Sequence, residues 1–303
     1  MRNNKIAFVG GGNMARSLIG GLIADGFQAR NIWVSDPHAA QRDALQQAFL
    51  IHTTAENKEA IAHADVVIFA VKPQILKIAA EDVAPTLQKK KPLIMSIAAG
   101  IREPTLNAWL GGHHAIVRAM PNTPAMVGSG ATALYANPQV TKQQHNLAES
   151  IMRAVGLAVW VDDEAHMDIV TALSGSGPAY FFLVMEALEK AAVDLGLPAE
   201  TARLLTLQTA YGAAKIALES NESTTALRMR VTSPGGTTEQ AIKVLQEGNA
   251  QELFCAALLA AHRRSTELAE LLVAPGILDP SLRSPATLTE PFAIALPCVA
   301  GDQ

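Results

Sequence analysis

A strand-like run, a glycine-rich turn and an apolar helix follow one another at the amino end of this chain. Residues 5–9 read KIAFV and residues 10–15 read GGGNMA, after which apolar residues recur at helical spacing. Gly10, Gly12 and Ala15 occupy the defined positions of a G-x-G-x-x-G/A fingerprint. This short motif is more specific here because it lies between a strand-like run and a helix. Gly10 permits the tight turn, and Gly12 lets the backbone approach a pyrophosphate at a helix start. The pattern predicts a Rossmann-type dinucleotide-binding fold, and a structural glycine turn between a buried strand and a helix is the alternative.

An acidic residue after the next strand bears on the choice of dinucleotide. Residues 32–34 are strand-like, and Asp36 follows them. It lies about 20 positions beyond the glycine motif, where a carboxylate meets the adenosine ribose of NAD. His38 and Arg42 are close in sequence and could instead accept the 2′-phosphate of NADP, so both cofactors stay open. Asp36 could equally cap a helix over residues 39–48.

Further strand-like runs complete the predicted sheet. Residues 64–74 carry Lys72 near their carboxyl end, where ligands of such sheets bind, although an exposed lysine in a loop is equally consistent. Residues 120–124 contain two prolines and an asparagine and are predicted not to be helical. The remaining predictions are strands followed by loops within residues 93–100 and 115–128, strands near 132–135 and 158–161, and a helix at 142–155.

The second half of the chain is rich in alanine and leucine at helical spacing. These helices are apolar on nearly every face, so something beyond their own bundle must bury them, and we expect a homodimer of interlocking helical halves. A small-residue cluster at residues 171–182, with Pro178 in a helical first turn, allows a close approach. The approaching group is a ligand, a second subunit or a neighbouring helix. Helices are predicted at residues 179–198, 199–219, 238–246 and 250–273.

Composition argues against several classes of protein. Hydrophobic residues make up 49% of the 303 residues and charged ones 17%, which is enough for a substantial core. The net charge of -4 argues against nucleic acid as a partner. Cys255 and Cys298 provide no disulfide framework and no metal-ligand spacing, so we expect a reducing cytoplasm and no metal. With no signal-peptide core and no run of about 18 apolar residues, no membrane segment is expected.

The predicted architecture is therefore α/β, with an N-terminal Rossmann-type domain and an all-helical C-terminal dimerisation domain. The predicted limits are residues 1–162 for the dinucleotide-binding domain and 163–273 for the helical dimerisation and substrate domain. Residues 274–303 are rich in proline and are expected to be a poorly ordered tail, with an exposed interaction segment as the alternative.

The stretch VTSPGGTT, residues 231–238, is unusual at the start of a helix. Turn chemistry explains a Pro-Gly pair and a threonine cap, but not two glycines and two hydroxyls together. With GGGNMA, AVKPQ, MPNTPA and ALSGSGPAY, this stretch resembles the pyrroline-5-carboxylate reductase family, over about residues 5–272. The last two motifs, ALSGSGPAY and VTSPGGTT in this order, make the resemblance specific.

The resemblance implies a function and an assembly. Members of this family reduce 1-pyrroline-5-carboxylate to L-proline, the last step of proline synthesis, by hydride transfer from NADPH, with NADH as the alternative cofactor. They form an interwoven homodimer, and many assemble into decamers of five dimers. The bare backbone at residues 235–238 would then hold the carboxylate of the substrate, since free N–H groups point outward at a helix N-terminus.

The resemblance also implies the site residues. Thr238 is the expected catalytic residue, whose hydroxyl hydrogen-bonds the ring nitrogen and positions it. The expected substrate-binding residues are Ser233, Gly235, Gly236, Thr237 and Thr238. The expected cofactor-binding residues are Gly10, Gly11, Gly12, Asn13, Met14, Ala15, Ser35, Asp36, Asn57, Ala70, Val71, Lys72, Pro73, Ala98, Ala99 and Asn122.

Some features depart from the family pattern, and two other functions compete. Met229 stands where the family usually has an acidic residue, and Asn221 stands where it has a glutamate or similar polar residue, which leaves substrate affinity open. A β-hydroxyacid dehydrogenase would need a lysine soon after the glycines of the first interdomain helix, but none occurs before Lys190. A dinucleotide-sensing scaffold without turnover would have no use for VTSPGGTT.

Overall fold

The computed structural model describes residues 4–272, and an eight-stranded sheet forms the centre of its first part. The spatial order of the strands is 3-2-1-4-5-6-7-8. In chain order they are β1 (Ile6–Val9), β2 (Ile32–Ser35), β3 (His52–Thr54), β4 (Val66–Phe69), β5 (Leu93–Ser96), β6 (Ile116–Met120), β7 (Gly130–Ala136) and β8 (Gly156–Trp160).

The direction of the strands locates the place where a ligand is expected. Strands β1 to β6 are mutually parallel, β7 is antiparallel to β6, and β8 is parallel to β7. Strand order reverses at β1, which lies between β2 and β4. In sheets of this kind ligands bind outside the carboxyl ends of the strands at such a reversal. The glycine loop follows β1, so it lies at this point, and the predicted Rossmann-type fold is confirmed.

Helices accompany the sheet, and its two faces have separate apolar cores. Ile6 and Phe8 pack in one cluster, whereas Ala7 and Val9 pack in the other, as expected for a strand whose successive side chains point to opposite faces. All residues of β1 are buried because both faces are covered. The helices here are α1 (Asn13–Ala24), α2 (Ala39–Phe49), α3 (Asn57–Ile61), α4 (Pro73–Lys90), α5 (Glu103–Trp109), α6 (Lys142–Arg153) and α7 (His166–Val170).

The sequence predictions match most of these elements, with some corrections. Strand β3 and helices α3, α4, α5 and α7 were not predicted. All except α4 are too short to show a period, whereas α4 has 18 residues and was missed although its buried side chains recur at helical spacing. The expectation that residues 120–124 are not helical is wrong in part. A 3-10 helix covers Thr123–Val127, with Pro124 near its start, where a missing N–H costs nothing.

The second part of the chain is helical. Helices α8 and α9 pack against each other as a hairpin, and the turn between them contains Gly196 with a φ of +100°. The predicted helices are confirmed with small shifts of their ends, while α10 was not predicted. The elements are α8 (Gly177–Asp194), α9 (Ala199–Glu219), α10 (Thr224–Arg230), α11 (Thr237–Glu247) and α12 (Ala250–Leu271).

The chain divides into two compact units whose limits differ from the predicted domain limits. Residues 4–176 and 261–272 form one, here called the sheet unit, and residues 177–260 form the other, here called the helical unit. The end of α12 belongs to the sheet unit, where the buried Ser265 hydroxyl donates to Asp168 at 2.7 Å. These two residues are 97 positions apart, and no sequence pattern indicates that they meet. The predicted domain limits therefore placed the end of α12 with the other helices. The predicted tail, residues 274–303, lies outside the described residues.

One helical run bears on the expectation about membrane segments. The helical run His166–Asp194 has 29 residues, and an 18-residue window within it has a mean hydropathy of 1.2, so it is long and apolar enough to cross a membrane by length and composition alone. A few charged residues interrupt its apolar sequence, so a search for unbroken apolar runs misses it. Only 22% of that window is buried within the described residues, so many apolar side chains at the start of the helical unit lack cover within one chain.

Candidate active site

Gly10 occupies a position that excludes any side chain. Its φ is +99°, and a Cβ built there would lie 2.7 Å from the carbonyl oxygen of Ala70 and 2.8 Å from a methyl of Val71. The Gly10 N–H donates to the Ser35 carbonyl at 2.8 Å. The tight turn predicted from the fingerprint is confirmed, and it places the ends of β1, β2 and β4 together.

Gly12 lies in a different environment, open on its outer side. It is the N-cap of α1, without a side-chain capping bond, and no atom lies within 4 Å of where its Cβ would be. The first N–H groups of an α-helix have no intrahelical acceptor and favour negative charge. An exposed, uncapped helix start next to a bare glycine fits the pyrophosphate of a dinucleotide.

Asp36 braces the glycine loop. One carboxylate oxygen accepts from the Gly11 N–H at 2.9 Å, and the other accepts from the His38 N–H at 2.9 Å. The N-cap of α2 is His38 and not Asp36, so the alternative role of Asp36 as that helix cap is wrong. Arg42 donates to the carbonyls of Asp36 and Pro37 at 2.8 and 3.0 Å. An acid and a cation therefore both lie at this loop.

Several other predicted cofactor residues lie at the same edge of the sheet. Ala70 and Val71 contact the Gly10 turn directly. Lys72 is exposed and is the N-cap of α4, with Pro73 as its first residue. Ala98 and Ala99 follow β5, which neighbours β4. The structure therefore brings these residues to the carboxyl ends of three adjacent strands.

Three predicted cofactor residues have side chains directed elsewhere. Ser35 is fully buried, and its hydroxyl donates to the Phe8 carbonyl at 3.4 Å. Ala15 packs in the apolar core below α1. The amide of Asn57 donates to the exposed Asp82 at 3.5 Å. Any contact of these three residues with a dinucleotide stays a prediction, and for Ser35 it concerns the backbone.

Asn122 uses its side chain to connect two backbone segments. Its amide oxygen accepts from the Ala131 N–H at 2.8 Å, and its amide nitrogen donates to the Ser174 carbonyl at 3.0 Å. Only 9% of the residue is exposed. The sequence predicted a cofactor ligand here, whereas the structure shows an amide with a protein partner on each side.

In the helical unit, the loop before α11 exposes backbone as the sequence predicted. Gly235 has a φ of +72°, and no atom lies within 4 Å of the place for its Cβ. A Cβ on Gly236 would lie 3.0 Å from the Ser233 carbonyl oxygen, which also accepts the Gly236 N–H at 3.0 Å. Gly236 is the N-cap of α11 and has no side-chain cap, so the N–H groups that begin with Thr237 are available.

Glu239 belongs to this loop and was not predicted. Its carboxylate accepts from the Gly235 N–H at 2.8 Å. A glutamate at the third position of a helix commonly reaches back to backbone N–H groups in this way, and this was the available sequence signal. The loop thus binds a carboxylate of the chain itself at one of its bare donors.

The positions that depart from the family pattern lie near this loop in sequence. Met229 is 64% exposed within α10, and Asn221 is exposed just before that helix. Their sequence neighbours Glu222 and Arg230 form an ion pair across α10.

Within residues 4–272, no group of three or more histidine, cysteine or acidic side chains is placed to hold a metal ion. Fold and site together define the class: a Rossmann-type dinucleotide-binding oxidoreductase with a separate helical unit.

Comparison with known proteins narrows the class. A family model described as pyrroline-5-carboxylate reductase dimerisation matches residues 164–268, and one described as NADP oxidoreductase, coenzyme F420-dependent, matches residues 5–100. The pyrroline-5-carboxylate reductase of Pseudomonas aeruginosa is 54% identical over 272 residues, covering 90% of this chain and 99% of that protein. The enzyme of Vibrio alginolyticus is 41% identical over 275 residues, covering 89% and 100%.

Solved structures agree. A pyrroline-5-carboxylate reductase from Coxiella burnetii superposes with a TM-score of 0.85 at 52% identity, covering 88% of this chain and 98% of that one. The pyrroline carboxylate reductase of Plasmodium falciparum, solved with NADP bound, has a TM-score of 0.79 at 29% identity, covering 89% and 99%. The chain belongs to the pyrroline-5-carboxylate reductase family.

Proposed function

We propose that this protein reduces 1-pyrroline-5-carboxylate to L-proline, with NADPH as the hydride donor and NADH as the alternative, in the last step of proline biosynthesis. The observation that carries the proposal is the open backbone before α11, where the Gly235 N–H already binds a carboxylate. Family membership across nearly the whole length of the relatives supports the same activity.

The sheet unit is assigned to the dinucleotide. The uncapped start of α1 at Gly12 would hold the pyrophosphate, and Asp36 lies where the adenosine ribose is expected. The residues after β4 and β5, Ala70 to Pro73 with Ala98 and Ala99, would line the remaining length of the cofactor. When bound, the reduced dinucleotide supplies the hydride.

The helical unit is assigned to the substrate. The bare backbone at Gly235 and Gly236 would let the ring carboxylate reach the free N–H groups that begin with Thr237, with Ser233 beside them, because an anion is favoured at a helix N-terminus. Thr238, partly exposed in the first turn of α11, would hydrogen-bond the ring nitrogen. Its hydroxyl orients the C=N bond and can pass a proton to the nitrogen.

Orientation is the main contribution asked of the chain. Holding two reactants in a reactive geometry can supply about 7–11 kcal/mol of barrier reduction. The nitrogen of a cyclic imine is basic enough to carry a proton from solvent, so no histidine, aspartate or cysteine is required as a general acid. This agrees with a loop in which the polar groups are hydroxyls and backbone amides.

The assembly is proposed to be a homodimer, with five dimers forming a decamer, in the cytoplasm. The match to a dimerisation family over residues 164–268 supports oligomerisation, and the exposed apolar faces of α8 and α9 supply the surface for it. The substrate is a small molecule, and no nucleic acid or membrane takes part.

The test is a spectrophotometric assay of the purified protein. Addition of 1-pyrroline-5-carboxylate should cause loss of the NADPH absorbance, with proline formed in equal amount, and the same assay with NADH ranks the two cofactors. Dinucleotide binding without oxidation of either cofactor would contradict the proposal and favour a dinucleotide-sensing scaffold.

A further inference from the structure

The motif ALSGSGPAY forms an irregular helical turn that the proposed reaction does not use. Residues Thr171–Gly175 form a π-helical turn between α7 and α8, and the Ser176 N–H donates to the Thr171 carbonyl at 2.9 Å. Turns of this type are rare and cluster at functional positions. Here it lies where the chain leaves the sheet unit and begins the helical unit.

Pro178 explains why this turn cannot be an ordinary helix. In an α-helix the Ser174 carbonyl would accept from the N–H four residues later, and that residue is Pro178, which has no N–H. The proline ring would also crowd that carbonyl. A buried or half-buried carbonyl without a donor costs free energy, so another donor is needed.

Asn122 is that donor. Its amide nitrogen lies 3.0 Å from the Ser174 carbonyl oxygen, while its amide oxygen holds the Ala131 N–H at 2.8 Å. Close packing supports the contact, because a Cβ on Gly175 would lie 2.6 Å from the Met120 side chain, at the end of β6. The loop after β6 therefore packs closely against the π turn. Asn122 forms the hydrogen bond between them, and Gly175 leaves room for the Met120 side chain.

We propose that Asn122 is a positioning residue for the reaction, which fixes the π turn by replacing the hydrogen bond that Pro178 removes. This inference rests on the proposed function. The π turn directly precedes α8, the first helix of the unit that carries the loop before α11. Loss of the Asn122 bond would change the conformation of the chain at the start of α8 and slow the reaction without changing the glycine loop after β1.

The experiment compares Asn122→Ser with a matched variant, Asn137→Ser, in the full-length protein. Asn137 is also a buried asparagine that bridges backbone groups, but it holds Ile116 and His114, at the opposite end of β6. We expect Asn122→Ser to lower kcat roughly tenfold, as for a lost buried hydrogen bond. NADPH affinity, measured by fluorescence titration, should stay within about twofold. Asn137→Ser should lower the melting temperature but keep kcat.

A second variant tests the pairing with Pro178. Pro178→Ala supplies an N–H four residues after Ser174, so Asn122→Ser/Pro178→Ala should recover most of the lost kcat and melting temperature. Strictly additive effects would overturn the proposal. So would a loss of NADPH affinity in step with kcat, which would make Asn122 a cofactor ligand, or an equal loss of kcat in Asn137→Ser.

The same variants separate a failure of this proposal from a failure of the proposed function. If the wild-type protein does not reduce 1-pyrroline-5-carboxylate, the proposed function fails. In that case the melting temperatures of the single and double variants still measure whether Asn122 replaces the hydrogen bond that Pro178 removes.

Discussion

Within the sheet unit, strands β1, β4 and β5 have no exposed residue, whereas in the helical unit Phe181, Phe182 and Leu183 of α8 are 62–68% exposed. Among the buried apolar side chains of residues 4–272, only Ala202 comes from the helical unit. Both units are rich in apolar residues, but only one of them covers those residues with its own chain.

This difference shows what an apolar sequence can and cannot specify. A run of leucine and alanine on all faces of a helix requires burial, at about 25 cal/mol per Å² of apolar surface. It does not say which surface provides the cover. For the sheet unit the cover is the two layers of helices, and for the helical unit the dimerisation family points to a second copy.

The units also use glycine for different purposes. Gly10 is required because neighbouring backbone fills the space of a side chain, whereas Gly12 and Gly235 have open space beside them. Only the second kind leaves room for a ligand.

The largest expected effect is loss of the assembly. Leu205 of α9 is 56% exposed in the single chain, and Leu205→Asp should abolish the dimer, since a charge buried in an apolar interface is strongly unfavourable. Size-exclusion chromatography with light scattering measures the mass. The control is Leu50→Asp, at an 82% exposed leucine of the sheet unit, which should leave the mass unchanged. A dimeric Leu205→Asp protein would contradict the assigned surface.

Loss of the Thr238 hydroxyl should act on catalysis alone. Thr238→Ala is expected to lower kcat roughly 10- to 100-fold, the range for a hydrogen bond to a charged group. NADPH affinity should not change, because the dinucleotide is assigned to the sheet unit. Thr225→Ala, at an exposed threonine of α10, is the control. An unchanged kcat in Thr238→Ala would remove this residue from the site.

Two alanine substitutions distinguish the two kinds of glycine in the sheet unit. Gly10→Ala should destabilise the fold by about 2 kcal/mol or more, because a positive φ and a clash with Ala70 add up. Gly12→Ala should leave thermal stability intact while weakening NADPH binding roughly tenfold, since its methyl would enter the pyrophosphate position. Normal NADPH affinity in Gly12→Ala would contradict the assigned phosphate site.

Glu239 allows the charge of the substrate loop to be tested. Glu239→Gln keeps an acceptor for the Gly235 N–H but removes a charge that repels the substrate carboxylate. We expect KM for 1-pyrroline-5-carboxylate to fall about fivefold, which corresponds to about 1 kcal/mol between charges 4 Å apart in water. Glu247→Gln, at the other end of α11, should not change KM. A higher KM in Glu239→Gln would indicate that Glu239 assists binding.

The smallest effect concerns the pH dependence of the core of the sheet unit. Burial lowers the pKa of His114 from its ordinary value of 6.5, and its Nδ1 has no hydrogen-bond partner. The unfolded chain therefore binds this proton at a pH where the folded chain does not. The free energy of unfolding should fall as the pH drops below 6.5, by at most about 1.4 kcal/mol per pH unit.

Urea unfolding at pH 7.5 and at pH 5.5 measures this dependence. His114→Leu should reduce it, whereas His63→Leu, at an exposed histidine, should not. An equal pH dependence in the wild-type and His114→Leu proteins would show that His114 is not responsible.

Much of the fold was predictable because it depends on local pattern. The strand and turn at residues 5–12 combine a buried apolar run with glycines, and the helices from Ala199 onward show a clear apolar pattern. Elements of three to seven residues, such as β3 and α10, show no such period and were missed. The π turn was missed because its cause, Pro178, was interpreted as an ordinary helix start.

The candidate site was predicted in its backbone and less well in its side chains. Glycines whose conformation or open surroundings matter were correctly located at residues 10, 12 and 235. The partners of Asp36, Asn122 and Glu239 were not foreseen, because a polar side chain can bond with whichever group the fold brings within about 3 Å.

By itself, the sequence determined the class of fold, the glycine loops and the need of the helical half for a partner, since these follow from periodicity, backbone freedom and hydrophobicity. Only the tertiary structure decided that Asn122 serves Ser174, 52 residues away, and that the end of α12 returns to the sheet unit through Ser265. Such contacts depend on distances between segments that are far apart in the chain, and no local pattern encodes those distances.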